Sequence, residues 1–553
     1  MSVMRSVPGR RGAPGRVRGS RLAAAVAATA AVVLVATACG SNGGATSAAA
    51  NPDQLDSSKP FGGDVAEEGT PKPGGTLIVG MYTEARSFDP VIGSNLMASA
   101  VYDSLLKMDS KGVAQPYLAQ SMNSPDGGTT WVMKLRPDVT FQDGTPFDAD
   151  AVIFNVKRQM DTPAALGKLY TEPIQAMTAT DPLTITFVLK RPTATFPTSF
   201  ALPFSSGNLG TIASPTAVQK EGADYGRNPV GAGPFSFVQW IPNNKIVVKK
   251  FDNYWDKGKP YLDGIEFRPI SDTDARYASV ANGDIDLDIG GFFSELRRAS
   301  MDKNLATYWG PGGDGQYLYY NLTKKPFDDK SVRQALIMAI DPKALNATQY
   351  NNVGQLATTP FAEGDQYFSQ AAADAYPKYD QAGAKKLIDA YKAGGGNPDF
   401  TYNTGNSPDD HQLGQFLQAQ WAAIGVNVKL QFDDIATFIG PIIQGTQFGT
   451  ATWISGPYEN PFPFMTNQFH TGGINNYGKY SNPQVDAALD QAAASSDPAA
   501  QAAAYKKAQE LIAGDLPVVW LSRAAKAAIA RPNVKGVSRY LSSELFFAGT
   551  WKQ

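Results

Sequence analysis

Alternation of apolar and polar residues predicts strands in the first half of the chain. An apolar run at residues 77–79, bounded by glycines, is typical of a buried strand. In residues 131–135 and 185–189 every second side chain is apolar, which is the pattern of a strand with one buried face. This half of the chain is therefore expected to be rich in sheet.

Helical spacing is more frequent in the second half of the chain. Apolar residues recur every three or four positions in three segments, which predicts helices with one apolar face: residues 332–340, 384–391 and 413–424. Alternation returns in residues 426–432, which predicts a strand. Asp497 and Pro498 are typical of a helix start, and Gly514 is expected to end that helix. Strands that alternate with helices predict α/β lobes with largely parallel sheets.

The first 38 residues have the composition of an export signal. They carry six arginines and no acidic residue, and an apolar run at residues 22–35 leads to the sequence ATAC at residues 36–39. The run is shorter than the roughly 20 apolar residues of a membrane span. The pattern resembles a bacterial lipoprotein signal, so Cys39, the only cysteine, is expected to become the lipidated first residue. An ordinary signal peptide with an incidental cysteine is the alternative.

Residues 39–75 are predicted to form a flexible tether. They are rich in Gly, Ser, Ala, Pro and Asp and contain few large apolar side chains, so they cannot bury enough surface to fold. A lipid and a flexible tether would hold the folded part at the extracytoplasmic face of the cell membrane without a spanning helix.

Composition excludes several classes of function. Without the signal arginines, acidic residues outnumber basic ones, which argues against a nucleic-acid partner. One cysteine and two histidines exclude a cysteine-rich or three-histidine metal site, and we expect no cofactor and no metal. His411 and His470 are interpreted as exposed or core residues, with recognition of a nickel chelate as the alternative. A chain of 553 residues is expected to form two or three lobes.

An ordered set of motifs resembles the family 5 extracellular solute-binding proteins of ABC importers, the dipeptide-, oligopeptide- and nickel-binding class. The most distinctive motif is LRPDVTFQDGTPFDADAV at residues 135–152. The others follow the order of the family and lie at residues 101–106, 116–121, 229–235, 253–255, 282–286 and 332–336. Together the matches span about residues 75–530.

The resemblance implies an α/β fold of the type II periplasmic-binding-protein kind, with two α/β lobes joined by hinge strands and an extra lobe. We expect the chain to divide as follows: signal peptide 1–38, tether 39–75, lobe I from 76–112, 232–312 and 516–553, the extra lobe II 113–231, and lobe III 313–515. Glycine-rich crossings near residues 310–315 and 514–517 are expected to be the hinge strands, since glycine absorbs dihedral change.

The resemblance also implies one segment of the ligand site. In peptide-binding members, a Trp-rich strand end leads to an aspartate that pairs with the free amino group of the peptide. The corresponding segment here is WISGPYENP, residues 453–461, with Pro457 at the position of the aspartate. Because proline cannot pair with an ammonium group, Glu459 is the residue expected to replace it. The expected ligand-binding residues of this segment are Trp453, Ser455, Tyr458, Glu459 and Asn460, although Trp453 as a core residue is the alternative.

Two further loops are candidates because ligands of α/β lobes gather at the carboxyl ends of strands. The loop after the first strand contains Tyr82, Glu84 and Arg86, and the two opposite charges would suit a zwitterion. A surface ion pair is the alternative. Asn406 and Ser407 follow the strand-like residues 400–402 and offer hydrogen bonds, and an ordinary turn into the next helix is the alternative.

The export signal and the family resemblance together imply a lipid-anchored, monomeric substrate-binding protein that captures a small solute between two lobes and delivers it to ABC permease subunits. A peptide is the first solute class, and an oligosaccharide is the alternative that the aromatic residues would suit. Import and sensing both remain open. An extracellular hydrolase is the alternative of a different class. It would need a nucleophile or a pair of carboxylates, and no catalytic residue is predicted.

Overall fold

A computed structural model describes residues 69–553. Within that range it leaves out residues 94, 110–112, 164, 203, 205–206, 292, 353, 435–436, 455–460 and 541–543. The described residues form twenty strands, numbered in chain order: β1 (Thr76–Met81), β2 (Leu106–Met108), β3 (Ala114–Pro116), β4 (Ala119–Asn123), β5 (Thr130–Leu135), β6 (Ile174–Asp181), β7 (Thr184–Leu189), β8 (Phe235–Ile241), β9 (Lys245–Lys250), β10 (Gly264–Pro269), β11 (Leu287–Gly291), β12 (Ala306–Tyr320), β13 (Phe400–Thr404), β14 (Val428–Phe432), β15 (Thr450–Ile454), β16 (Val518–Ala530), β17 (Val534–Lys535), β18 (Ser538–Arg539), β19 (Leu545–Phe546) and β20 (Trp551–Lys552).

Ten of these strands form one sheet in the order β14-β13-β15-β12-β16-β11-β1-β10-β9-β8. Strands β1, β10 and β11 are parallel, and so are β13, β14 and β15. In the middle of the sheet, β12 runs antiparallel to β15 and to β16, and β16 runs antiparallel to β11. Each half thus contains three parallel strands, whereas the sheet is antiparallel where the halves join and also along β10-β9-β8 at the outer edge of the first half. The expectation of largely parallel sheets therefore holds only for those three strands of each half.

The long strands β12 and β16 pass from one half of the sheet to the other. Residues 316–320 of β12 pair with β15, whereas its first residues pair with the last part of β16, which in turn pairs with β11. Their register shifts between Pro311, which pairs with Ala525, and Gly315, which pairs with Arg523. This register shift lies within the glycine-rich residues 310–315. Residues 514–517 close a helix and precede β16. Both hinge positions stay predictions.

Fourteen α-helices lie among the described residues: α1 (Ala98–Val101), α2 (Ala149–Asp161), α3 (Lys168–Thr171), α4 (Pro215–Glu221), α5 (Thr273–Asn282), α6 (Phe293–Met301), α7 (Lys330–Met338), α8 (Pro342–Tyr350), α9 (Gln370–Ala375), α10 (Gln381–Ala393), α11 (Pro408–Ala423), α12 (Phe464–Phe469), α13 (Pro483–Ala494) and α14 (Pro498–Asp515). The four helices predicted from spacing and caps are confirmed as α7, α10, α11 and α14. Asp497 caps α14 by accepting the backbone N–H of Ala499. The helix runs through Gly514, and Leu516 ends it in a left-handed conformation with φ 55°.

The LRPDVTFQDGTPFDADAV motif connects a second sheet to the large one. This sheet has four antiparallel strands in the order β4-β5-β7-β6, and α2 follows the motif with Asp148 as its cap. The side-chain amide of Gln142 donates to the backbone carbonyls of Val101, Gly233 and Phe235 at 2.8–3.1 Å. Its oxygen accepts the N–H of Gly231 at 3.0 Å. The glutamine therefore joins the motif to two distant segments of the chain.

Each half of the large sheet packs on its own hydrophobic core. The first core contains Leu77 and Val79 of β1, and the second contains Tyr402 of β13 and Trp421 of α11. All four side chains are fully buried. Separate cores on the two sides of β12 and β16 allow each half to act as a unit. The lobe boundaries drawn from the sequence stay a prediction.

Candidate functional site

The carboxyl ends of the parallel strands in both halves face the crossing of β12 and β16. At the end of β1, Met81 pairs with Ile289 of β11, which pairs with Ala528 of β16 close to the crossing. In the other half, Ile454 at the end of β15 pairs with Gln316. Gln316 directly follows Gly315, where the register shift between β12 and β16 ends. Loops beyond such strand ends are where α/β lobes bind ligands. We therefore take the edges that face the crossing as the candidate site.

The loop after β1 carries three residues predicted to bind ligand. Tyr82 is 38% exposed. The Glu84 carboxylate accepts the indole N–H of Trp240 at 2.5 Å and the backbone N–H of Asn243 at 3.1 and 3.2 Å. Arg86 is exposed, and none of the described carboxylates lies within ion-pair distance of it. Glu84 and Arg86 thus do not pair with each other, and Glu84 is held by the β8–β9 hairpin. Their ligand roles stay predictions.

At the end of β15, Trp453 belongs to an aromatic cluster. Its ring packs against Tyr477 with centroids 5.6 Å apart and against Phe438 at 6.3 Å. It pairs with Tyr317 on β12, which in turn packs against Trp520. Trp453 is half-buried. The other residues predicted for this segment lie outside the described residues: Ser455, Tyr458, Glu459 and Asn460.

The third predicted segment follows β13, the neighbour of β15 in the sheet. Asn406 and Ser407 are exposed. The Asn406 side-chain oxygen lies 2.8 Å from Nε2 of His411, whose ring stacks on Phe432 at 3.7 Å. Ser407 caps α11 in a reciprocal arrangement with Asp410. These contacts match those of a turn into a helix. The sheet brings this segment and Trp453 to one edge, whereas the loop after β1 belongs to the other half.

Two residues that contact the candidate segments, one in each half, were not predicted from the sequence. Tyr477 packs against both Trp453 and Tyr319, and Trp240 binds Glu84. Tyr477 lies in a loop without periodicity. Trp240 lies on β8, and its partner Glu84 is 156 residues away in the chain. Nothing in the local sequence could have identified either contact.

A buried ionic cluster lies beside the end of β1. Arg276 of α5 donates to Asp288 of β11 at 2.8 Å and to Glu295 of α6 at 2.7 Å, and none of the three side chains is exposed. Burial raises the pKa of Asp288 to about 7. The Arg276 guanidinium lowers this pKa and the Glu295 carboxylate raises it. Oxygen Oδ2 of Asp288 is buried and has no hydrogen-bond partner among the described residues. One guanidinium therefore binds two carboxylates, and all three groups are buried from solvent.

Neither metal-ligating clusters nor membrane-spanning helices are found in the part of the chain that the structure describes. No group of three or more His, Cys, Asp or Glu side chains there could hold a metal ion. His470 lies 3.8 Å from Asp486 and 3.6 Å from Asp490 and remains partly exposed. No described helix is both long and apolar enough to cross a bilayer.

Two α/β halves joined by a pair of crossing strands, with strand ends facing the junction, define a type II periplasmic binding protein. The chain matches the family described as "Bacterial extracellular solute-binding proteins, family 5 Middle" over residues 113–476. It therefore belongs to the family 5 bacterial extracellular solute-binding proteins. This confirms the resemblance and the fold class predicted from the sequence.

Individual relatives agree with this assignment. The glutathione-binding protein GsiB of Shigella flexneri is 30% identical over 458 residues, which cover 80% of this chain and 87% of the relative. The structure of DppA from Helicobacter pylori in complex with the peptide STSA has a TM-score of 0.75 at 24% identity and covers 88% of this chain and 99% of that one. AgaA of A. tumefaciens R10 in complex with agropinic acid gives the same TM-score and identity, with coverage of 87% and 99%.

Proposed function

We propose that this chain is the lipid-anchored substrate-binding protein of an ABC importer, which captures a small peptide between its halves and delivers it to the permease. The observation that carries the proposal is that strand ends from both halves face one crossing. A solute bound there would contact loops of both halves, so closure would enclose it and strengthen its polar contacts.

A small peptide suits the groups available at these strand ends. Arg86 is a cation without an ion-pair partner among the described residues, which suits a carboxylate. Trp453 offers an aromatic face to side chains. The similar GsiB protein is named for binding glutathione, itself a tripeptide with one amino group and two carboxylates. Glu459 remains the proposed partner of the amino group.

The experiment is a binding panel on the chain from residue 40 onward. Glutathione and free di- and tripeptides should raise the apparent Tm, because a ligand at 100 times its Kd stabilises the folded state by about 2.7 kcal/mol. The same peptides with an acetylated amino group or an amidated carboxyl group test which end is recognised. Mass spectrometry of the solute after incubation should show it unchanged.

If an oligosaccharide such as maltotriose raises the apparent Tm and no peptide does so at millimolar concentration, the solute class is an oligosaccharide and not a peptide. Appearance of a cleaved or modified solute would overturn the transport role in favour of an enzyme.

A further inference from the structure

Trp240 joins three separate segments around the loop after β1. Its indole N–H donates to the Glu84 carboxylate at 2.5 Å. Its ring lies 3.7 Å from the Arg227 guanidinium and meets the ring of Phe88 edge to face with centroids 5.9 Å apart. A tryptophan that binds a carboxylate, a cation and a second ring at once has little freedom to move. The loop residues Glu84 and Phe88 are therefore fixed relative to the β8–β9 hairpin.

The far end of the same loop is fixed by other contacts. The backbone N–H of Phe88 donates to the carbonyl of Gly226 at 2.9 Å, and Asp89 forms an ion pair with Arg158 at 2.6 Å. Asp89 is buried. Contacts therefore hold the loop on both sides of Arg86, which lies between Glu84 and Phe88.

Arg86 is the exposed residue within this fixed stretch. Its neighbour Ala85 is buried, whereas the Arg86 side chain is exposed and unpaired with any described carboxylate. A guanidinium presents a planar set of donors that matches a carboxylate in two parallel hydrogen bonds. Holding the backbone on either side lowers the ordering cost when such a ligand binds.

We propose that Trp240 is a positioning residue for solute binding, which acts through Glu84 to present Arg86 to a carboxylate of the solute. The proposal rests on the proposed function and assigns Glu84 to the protein framework and not to the ammonium group of the ligand. It also specifies the solute class, because a solute recognised here must carry a carboxylate near the β1 loop.

The test is Trp240→Phe, which removes the indole N–H and keeps an aromatic ring beside Arg227 and Phe88. Without this bond the loop that carries Arg86 is held less firmly, so more freedom is lost when a carboxylate binds, and the Kd for a free-carboxylate peptide should rise on the order of tenfold. Isothermal titration calorimetry should show a much smaller change for the same peptide with an amidated carboxyl group. In an Arg86→Gln background, Trp240→Phe should add almost nothing, because Trp240 acts through Arg86.

Trp255→Phe is the matched control. The Trp255 indole N–H donates to the Asp103 carboxylate at 2.7 Å, an equivalent bond that involves neither Glu84 nor Arg86. This variant should lower the apparent Tm without changing either Kd. A change in Kd that follows Tm in both variants would identify a general loss of stability and would overturn the proposal.

Glu84 provides the second arm of the experiment. Glu84→Ala should weaken binding of the free-carboxylate peptide, and Glu84→Gln should recover much of it, because the amide oxygen still accepts from Trp240 and Asn243. The alternative is that Glu84→Gln and Glu84→Ala weaken binding equally, and only for peptides with a free amino group. That result would show that Glu84 contacts the ligand directly and would overturn the proposal.

The two proposals fail in different ways. If the wild-type protein binds no peptide, the proposed function falls and this inference falls with it. If the wild-type protein binds peptide and Trp240→Phe leaves both Kd values unchanged, or lowers both affinities equally, only the positioning role is overturned.

Discussion

Removing the Arg276 guanidinium should destabilise the protein in a way that depends on pH. In Arg276→Met, the carboxylates of Asp288 and Glu295 lose the cation that lies 2.7–2.8 Å from both. All three side chains are fully buried, and breaking a buried ion pair by removing one partner costs about 3–5 kcal/mol. A loss of this size in a large chain corresponds to a fall in apparent Tm on the order of 5 °C.

The direction of the pH effect follows from the pKa of Asp288. Burial raises this pKa to about 7, so the folded protein binds the proton more tightly than the unfolded chain does. The contribution of Asp288 to stability is therefore fully present below about pH 4 and is lost as the pH rises through about 7. Arg276→Met removes the charge that lowers this pKa. The pKa of Asp288 therefore rises further, and the loss of stability continues to higher pH. The fall in Tm caused by the substitution should consequently be larger at pH 8 than at pH 5.5.

Thermal unfolding of wild type and variant at both pH values measures this difference. Asp288→Asn is the matched control, because its amide oxygen still accepts from Arg276 but cannot titrate. The control should retain most of the stability and should change less between pH 5.5 and pH 8 than the wild type does. Equal losses of Tm for Arg276→Met at the two pH values, or an unchanged pH response in Asp288→Asn, would refute the assignment of this titration to the cluster.

Three further predictions concern the anchor and the backbone. Cys39→Ser should move the protein from the membrane fraction to the soluble fraction, and continued retention would contradict lipid anchoring. Gly233→Ala should impair folding, because its added Cβ would lie 2.6 Å from backbone atoms of Val101 and Tyr102. Gly514→Ala in α14 meets no atom within 4 Å and should instead stabilise the helix by about 0.5–1 kcal/mol, as urea unfolding would measure.

Local sequence patterns predicted elements well where their causes are local. The apolar run at residues 77–79 became β1, and Asp497 and Pro498 begin α14 as their capping chemistry requires. The end of α14 was less predictable. Gly514 could have ended the helix, but the chain continues to Asp515, and Leu516 takes up the left-handed conformation that glycine usually adopts.

Contacts between distant segments could not be read from the sequence. Gln142 lies in a motif that resembles a family signature, but its amide binds carbonyls 41 and 93 positions away. Glu84 and Arg86 are close in sequence and of opposite charge, which suggested that they act together. The partner of Glu84 is instead an indole on β8, supplied by the topology of the sheet.

The irregular pairing of β12 with β16 has a mechanical consequence. Between the pairs Pro311–Ala525 and Gly315–Arg523, β12 contains three residues where β16 contains one. The ladder is already interrupted at that point, and proline contributes no N–H to it. Rotation of one half against the other about this point would therefore break few backbone hydrogen bonds. It would leave the hydrophobic core of each half intact. In the proposed closing motion, this point of the ladder would therefore resist rotation less than a regularly paired stretch would.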